Sequence, residues 1–161
     1  MAEEKVITHE CRAAGLVFET VNDWTDWLKE NSYDIKKPVA EHDGFKFNIN
    51  DACINPHVYA AYEVDNHYSW KVKTAKTQYG WIWGYDISTG NGGSVTPAAY
   101  PSRYDRSAIF YETEEQAAHD ALIFIIRQLE WKPKTKNNGI LLLAAKKKRA
   151  DIIHPQMELF K

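Results

Sequence analysis

Three long stretches between His57 and Ser88 are rich in β-branched and aromatic residues and are separated by turn signals, and no other feature constrains the fold of this chain as strongly. His57–Val64, His67–Thr77 and Gln78–Ser88 are each read as a strand. Asp65-Asn66 joins the first two as a turn. Gly90-Asn-Gly-Gly93 then marks a hairpin, because these residues tolerate positive φ, and a short strand over Ser94–Thr96 follows before Pro97. Successive strands linked this way form an antiparallel β-meander. Upstream, Gly44–Asn50 places Phe45, Phe47 and Ile49 on one face, which predicts a further strand.

Two capping boxes frame this sheet. Thr20-Val-Asn-Asp23 precedes Val21, Trp24, Trp27 and Leu28 at helical spacing, predicting a helix over 21–31. Thr113-Glu-Glu-Gln116 opens a clearer one, with acids in its first turn and Ala118, Ala121, Leu122, Ile125, Ile126 and Leu129 in a single apolar stripe. Lys132-Pro133 ends it near Trp131. Lys134–Gly139 reads as a polar linker with an Asn-Gly turn. Ile140–Ala150 fits a short helix or an edge strand, and the helix is favoured because Leu and Ala are good helix formers and the cations of Lys146–Arg149 suit a helix C-terminus.

The expected class is therefore α+β, an antiparallel β-meander sheet with helices packed on one face. Residues 1–131 are expected to form one α+β domain, and residues 132–161 a basic C-terminal extension with a short helix and a terminal peptide. At 161 residues a single domain of ordinary size is expected. No stretch approaches the roughly 20 apolar residues of a membrane span, and the first residues lack the charged-then-apolar run of a signal peptide, so a cytoplasmic protein is expected. Cys11 and Cys53, the only two cysteines, are expected to be packing thiols.

Charge is unevenly distributed. Residues 1–66 carry 13 acids and 6 bases, residues 67–130 carry 7 and 6, and residues 131–161 carry 2 and 8. Contact with nucleic acid would thus concentrate at Lys132, Lys134, Lys136, Lys146, Lys147, Lys148 and Arg149, where clustered cations can neutralise phosphates. The plainer reading of the same run is a solvated basic face.

Tyr79, Trp81, Trp83 and Tyr85 alternate with Gly80, Ile82 and Gly84 and are expected on one sheet face. Such a stripe can stack unpaired bases at about 1–3 kcal/mol each. It can equally be core beneath the Thr113–Trp131 helix, and the core reading is favoured because a sheet of this size must bury one face and because no Lys or Arg is interleaved within it.

Catalytic signatures are missing. His9, Cys11, Cys53 and His57 are ligand types for zinc, but their spacings are not those of known zinc modules, so no metal is expected. His42-Asp43 and His119-Asp120 are adjacent pairs whose side chains should point apart. Asp86, Asp105 and Glu112 complete the acids available for proton transfer, and there is neither a Gly-x-Ser-x-Gly elbow nor a phosphate-cradling glycine loop. No cofactor is implied, and a hydrolase or nuclease would need an unrecognised site.

Gln156-Met157-Glu158-Leu159-Phe160, directly after Pro155, resembles the short peptide by which bacterial DNA polymerases and repair proteins grip the replication sliding clamp. That family's pattern is Gln, an aliphatic residue, a small or acidic residue, then Leu-Phe. Met157 and Glu158 stand where Leu and Asp or Ser are commoner, and each keeps the chemistry of its position. The resemblance implies a non-enzymatic accessory protein of DNA metabolism with the clamp as partner. Leu159 and Phe160 would be the anchors, Gln156 a polar contact at the pocket rim, and Pro155 a residue that pre-extends the peptide. The alternative is that Ile152, Ile153, Leu159 and Phe160 pack on the chain's own domain. The central region, from the Trp-Gly strand through the glycine hairpin to Phe110–Ala117, is similar to small domains of bacterial mobile elements and phages.

Overall fold

The structure is a computed structural model that describes residues 9–32, 34–90, 92–102 and 109–153. Its centre is a four-stranded antiparallel sheet in sequence order: β5 (His57–Asp65), β6 (Tyr68–Thr77), β7 (Gly80–Thr89) and β8 (Gly93–Thr96). The meander expected from the three runs and their turns is thus present, within an α+β architecture. Two small hairpins precede it, β1 (His9–Cys11) with β2 (Leu16–Phe18), and β3 (Ala40–His42) with β4 (Phe45–Phe47). The helices are α1 (Val21–Glu30), α2 (Glu114–Glu130) and α3 (Lys136–Ile153).

Local chemistry explains most boundaries. Thr20 Oγ1 accepts the Asp23 amide at 3.1 Å, and Thr113 and Gln116 form the reciprocal box at 3.2 and 3.3 Å. The strand expected over 44–50 stops at Phe47 because the next side chain takes over the backbone donors. Asn48 Oδ1 accepts the amides of Asn50 (2.9 Å) and Ala52 (3.1 Å), a local turn that competes with the ladder. The last long strand starts at Gly80 rather than Gln78. Thr77 Oγ1 takes the Tyr79 amide at 3.0 Å, and Gly80 adopts φ +134°, where a Cβ would lie 2.6 Å from the Tyr111 carbonyl oxygen.

Helix α3 begins four residues earlier than the Leu/Ala run suggested, absorbing the expected polar linker. Thr135 Oγ1 accepts the Asn138 amide at 3.2 Å, and Asn138 Nδ2 donates to the Pro133 carbonyl at 2.9 Å, so Asn137–Gly139 become a first helical turn. Nor does the expected boundary at 131/132 separate two packing units. Leu141 and Ala145 are fully buried in the same cluster as α2 and the sheet.

The sheet is covered on both faces. Val72, Tyr85 and Ile87 meet Ala121, Leu122 and Ile125 of α2 and Leu141 of α3. Ala75 and Ile82, of opposite parity, face a second cluster built from Phe18, Phe47, Ile49 and Tyr100. Helices α2 and α3 therefore share one face, whereas Trp24, Trp27 and Leu28 of α1 pack with the second cluster. The return segment after β8 lies directly on the strand, since a Cβ on Gly84 would sit 2.4 Å from the main chain of Pro97 and Ala98.

Candidate functional site

The polar side chains with the most connected geometry surround a cleft of about 570 Å³ between the segment Ile109–Glu112, the first half of α2 and the last turn of α3. Ile109, Phe110, Ile152 and Ile153 supply apolar walls, and Glu112, Glu115, His119 and Asp120 a polar side. Tyr111 is held there by its backbone, whose amide and carbonyl pair with Trp81 at 3.0 and 2.7 Å and so attach the segment to the start of β7. Its hydroxyl donates to Asp120 Oδ2.

Burial, and then the neighbouring Asp120 carboxylate, push the Tyr111 hydroxyl up to about 12, so it is a donor at neutral pH. His119 links the two helices, with Nδ1 3.7 Å from Asp120 Oδ1 and Nε2 accepting from Arg149 Nε at 3.3 Å. Acceptance at Nε2 puts the proton of the neutral ring on Nδ1, facing Asp120. The adjacent pair His119-Asp120 thus shares one side of α2, at a separation too long for a hydrogen bond. His42 and Asp43 do diverge: His42 Nε2 lies 3.0 Å from the Ala13 carbonyl and Asp43 pairs with Lys76 at 3.3 Å.

Two of the titratable side chains of the cleft are committed to partners within the fold. His119 Nε2 is engaged by Arg149, Asp120 Oδ2 already accepts from Tyr111, and among the described residues no serine, threonine or cysteine lines the cleft. What remains is an apolar trough with carboxylates along one side.

The four aromatics expected on one face are dispersed. Trp83 and Tyr85 pack on Phe124 of α2 with ring centroids 5.8 and 4.7 Å away, inside the first cluster. Trp81 meets Phe45 edge-on at 5.9 Å. Tyr79, in the β6–β7 turn, is exposed, and it joins Phe110 and Tyr100 around the Arg12 guanidinium, which lies 5.2, 5.2 and 5.9 Å from their centroids. Trp83 and Tyr85 thus lie against α2, so the four rings do not share one exposed face.

The basic residues are also divided. Lys146 pairs with Glu130 at 3.7 Å, Lys148 lies 5.7 Å from the Tyr59 ring centroid, and Arg149 is committed to His119. Lys134, Lys136 and Lys147 are exposed and Lys132 is half-buried. Gln156, Met157, Glu158, Leu159 and Phe160 lie outside the described residues, as does Asp105. His9 stacks on Trp24 at 4.7 Å, and His57 Nδ1 sits 2.7 Å from Glu114 Oε1. Both cysteines are buried, and burial followed by the Asp51 carboxylate raises the Cys11 thiol to about 12. Among the described residues no group of three His, Cys, Asp or Glu is placed to hold a metal ion, and no helix is long and apolar enough to cross a membrane.

Sequence reasoning missed Tyr111, Asp51 and the Arg12 cluster. Asp51 binds the amides of Arg12 (3.0 Å) and Ala13 (2.9 Å) across 39 and 38 residues, a separation that leaves no local pattern. No known protein family, curated protein or solved structure matches the chain.

Proposed function

We propose that this chain is a non-enzymatic accessory protein of bacterial or phage DNA metabolism, docked on the replication sliding clamp through Gln156–Phe160. The observation that carries the reading is the spacing of Gln156, Leu159 and Phe160, which matches the clamp-binding peptide. Two apolar anchors enter a pocket while the glutamine hydrogen-bonds at its rim. Support comes from the helix that precedes the peptide. Leu141 and Ala145 fasten α3 in the core, and the described helix reaches Ile153, three residues before Gln156. A docked peptide would thus hold the whole domain close to the clamp and raise its effective concentration there. The exposed Lys134, Lys136 and Lys147 give this end of the chain a favourable interaction with DNA passing through or beside the clamp.

The test is a titration of purified bacterial clamp with the full chain and with its Leu159→Ala/Phe160→Ala form. Removing both anchors is expected to weaken binding by about 100-fold or more, roughly 3 kcal/mol. Equal binding by both forms, or binding by neither, overturns the proposal.

A further inference from the structure

We propose that the cleft between Ile109–Glu112, α2 and α3 is the seat of the chain's own Leu159–Phe160 pair, so that the docking peptide is stored on the domain and a clamp must compete for it. The competition rests on the clamp reading given above; the seat does not. Three observations point to this occupant.

The first is connectivity. Ile152 and Ile153 form one wall of the cleft, so the chain leaves α3 at its edge. Leu159 is six residues further on, a reach of about 20 Å at roughly 3.3 Å per residue, ample for folding back across a cleft that begins at the exit point. The second is the walls. Ile109 and Ile153 are 55% and 48% exposed at the cleft, beside Phe110 and Ile152, apolar surface that a leucine and a phenylalanine would remove from water. The third is charge. Asp120 already accepts from the Tyr111 hydroxyl, whereas Glu112 and Glu115 have no ion-pair partner among the described residues, and Lys161 follows Phe160 directly. Seating Phe160 between the isoleucines brings an ammonium within range of two carboxylates.

The consequence is regulatory. Only the unseated fraction of molecules presents its anchors, so the apparent affinity for a clamp is lowered by that fraction. Anything that empties the cleft, without touching the peptide, tightens clamp binding.

The experiment uses the full chain with 4-fluorophenylalanine at position 160, read by fluorine NMR without clamp. The resonance is expected to differ from that of a free Pro155–Lys161 peptide carrying the same label. It should return to the free position in Ile109→Asp and in Glu112→Lys/Glu115→Lys, variants of surface residues whose folding is checked by circular dichroism. Seating within one chain also requires a shift that does not change over a tenfold range of protein concentration. A resonance identical to the free peptide, or one unmoved by both cleft variants, overturns the seat. A concentration-dependent shift overturns it in favour of a second copy as occupant. Adding clamp separates the two proposals: a seated resonance that clamp leaves unmoved keeps the seat and removes the clamp as its competitor, whereas competition should make Ile109→Asp bind clamp severalfold more tightly than the native chain.

Discussion

The indole Nε1 of Trp70 donates to the carbonyl oxygen of Leu141 at 3.1 Å, fastening the second strand of the sheet to the first half of α3. Both residues are buried, so the bond holds in place the helix from which the C-terminal peptide departs. Leu141→Ala is expected to lower stability by about 2–5 kcal/mol, the usual result of emptying a fully buried leucine site. Urea unfolding with an unchanged m-value would report it. A loss below about 1 kcal/mol would mean that α3 is not part of the cooperative core.

Tyr85, 8% exposed, tests whether the sheet aromatics hold the fold or bind bases. Tyr85→Ala is expected to destabilise by about 3–5 kcal/mol, in the range for deleting a buried aromatic ring. Thermal melting measured beside oligonucleotide titration would decide between the roles. Unchanged melting with lost oligonucleotide affinity would make the ring a stacking platform despite its burial.

Asp51 sits at φ +62° and ties the β1–β2 turn to the second cluster by accepting from two amides and from Cys11 Sγ at 3.2 Å. Asp51→Ala strands two backbone donors, one of them buried, and is expected to destabilise by about 3 kcal/mol, since hydrogen bonds to charged groups contribute roughly 1.5–3 kcal/mol each. Asp51→Asn keeps an acceptor and should lose less. Equal losses for the two variants would show that size and a single acceptor oxygen do not suffice there, and that the second oxygen or the negative charge carries the effect.

Stability should fall on the alkaline side. Burial lifts Cys11 from 9.0, and Tyr100 and Tyr111 from 10.0, to about 12 in the folded chain. The protonated forms are therefore favoured by folding, and their contribution is complete below pH 9. It is lost as pH rises from about 9 or 10 toward about 12, because over that range the unfolded chain binds fewer protons than the folded one. For fully buried Cys11 the slope is at most about 1.4 kcal/mol per pH unit. Urea midpoints from pH 8 to 11 are expected to decline, less steeply for Cys11→Ala. A flat profile would contradict the burial of these groups.

Duplex DNA binding, if the basic end contributes it, should come from the exposed lysines and not from those engaged in the fold. Replacing Lys134, Lys136 and Lys147 by Gln should flatten the dependence of log K on log salt by about 0.9 for each phosphate that is no longer neutralised. Replacing Lys148 and Arg149 should leave the slope unchanged, since Lys148 lies near the Tyr59 ring and Arg149 is bonded to His119. Fluorescence anisotropy at several salt concentrations would show the reverse pattern if the helix end opens on DNA.

Local chemistry alone determined the α+β class and most of its elements. The strand formers and turn residues of His57–Ser88 and the hydroxyl caps at Thr20 and Thr113 act within a few residues, and short-range patterns of this kind are written in neighbouring letters. The three-residue strands β1, β2 and β3 carry too few alternations to be seen, and the true start of α3 depended on Thr135 and Asn138 choosing a helical turn over an Asn-Gly linker. Tertiary structure alone decided which faces are buried. The alternation placed Trp81, Trp83 and Tyr85 on one side of a strand, but only the docking of α2 over Trp83 and Tyr85, and of Phe45 against Trp81, separated their roles. The cleft is likewise invisible in the sequence. Tyr111, His119 and Asp120 meet there, with Arg149 bonded to His119, and hydrogen bonds across 9 and 30 residues follow from how the elements pack, which no local pattern encodes.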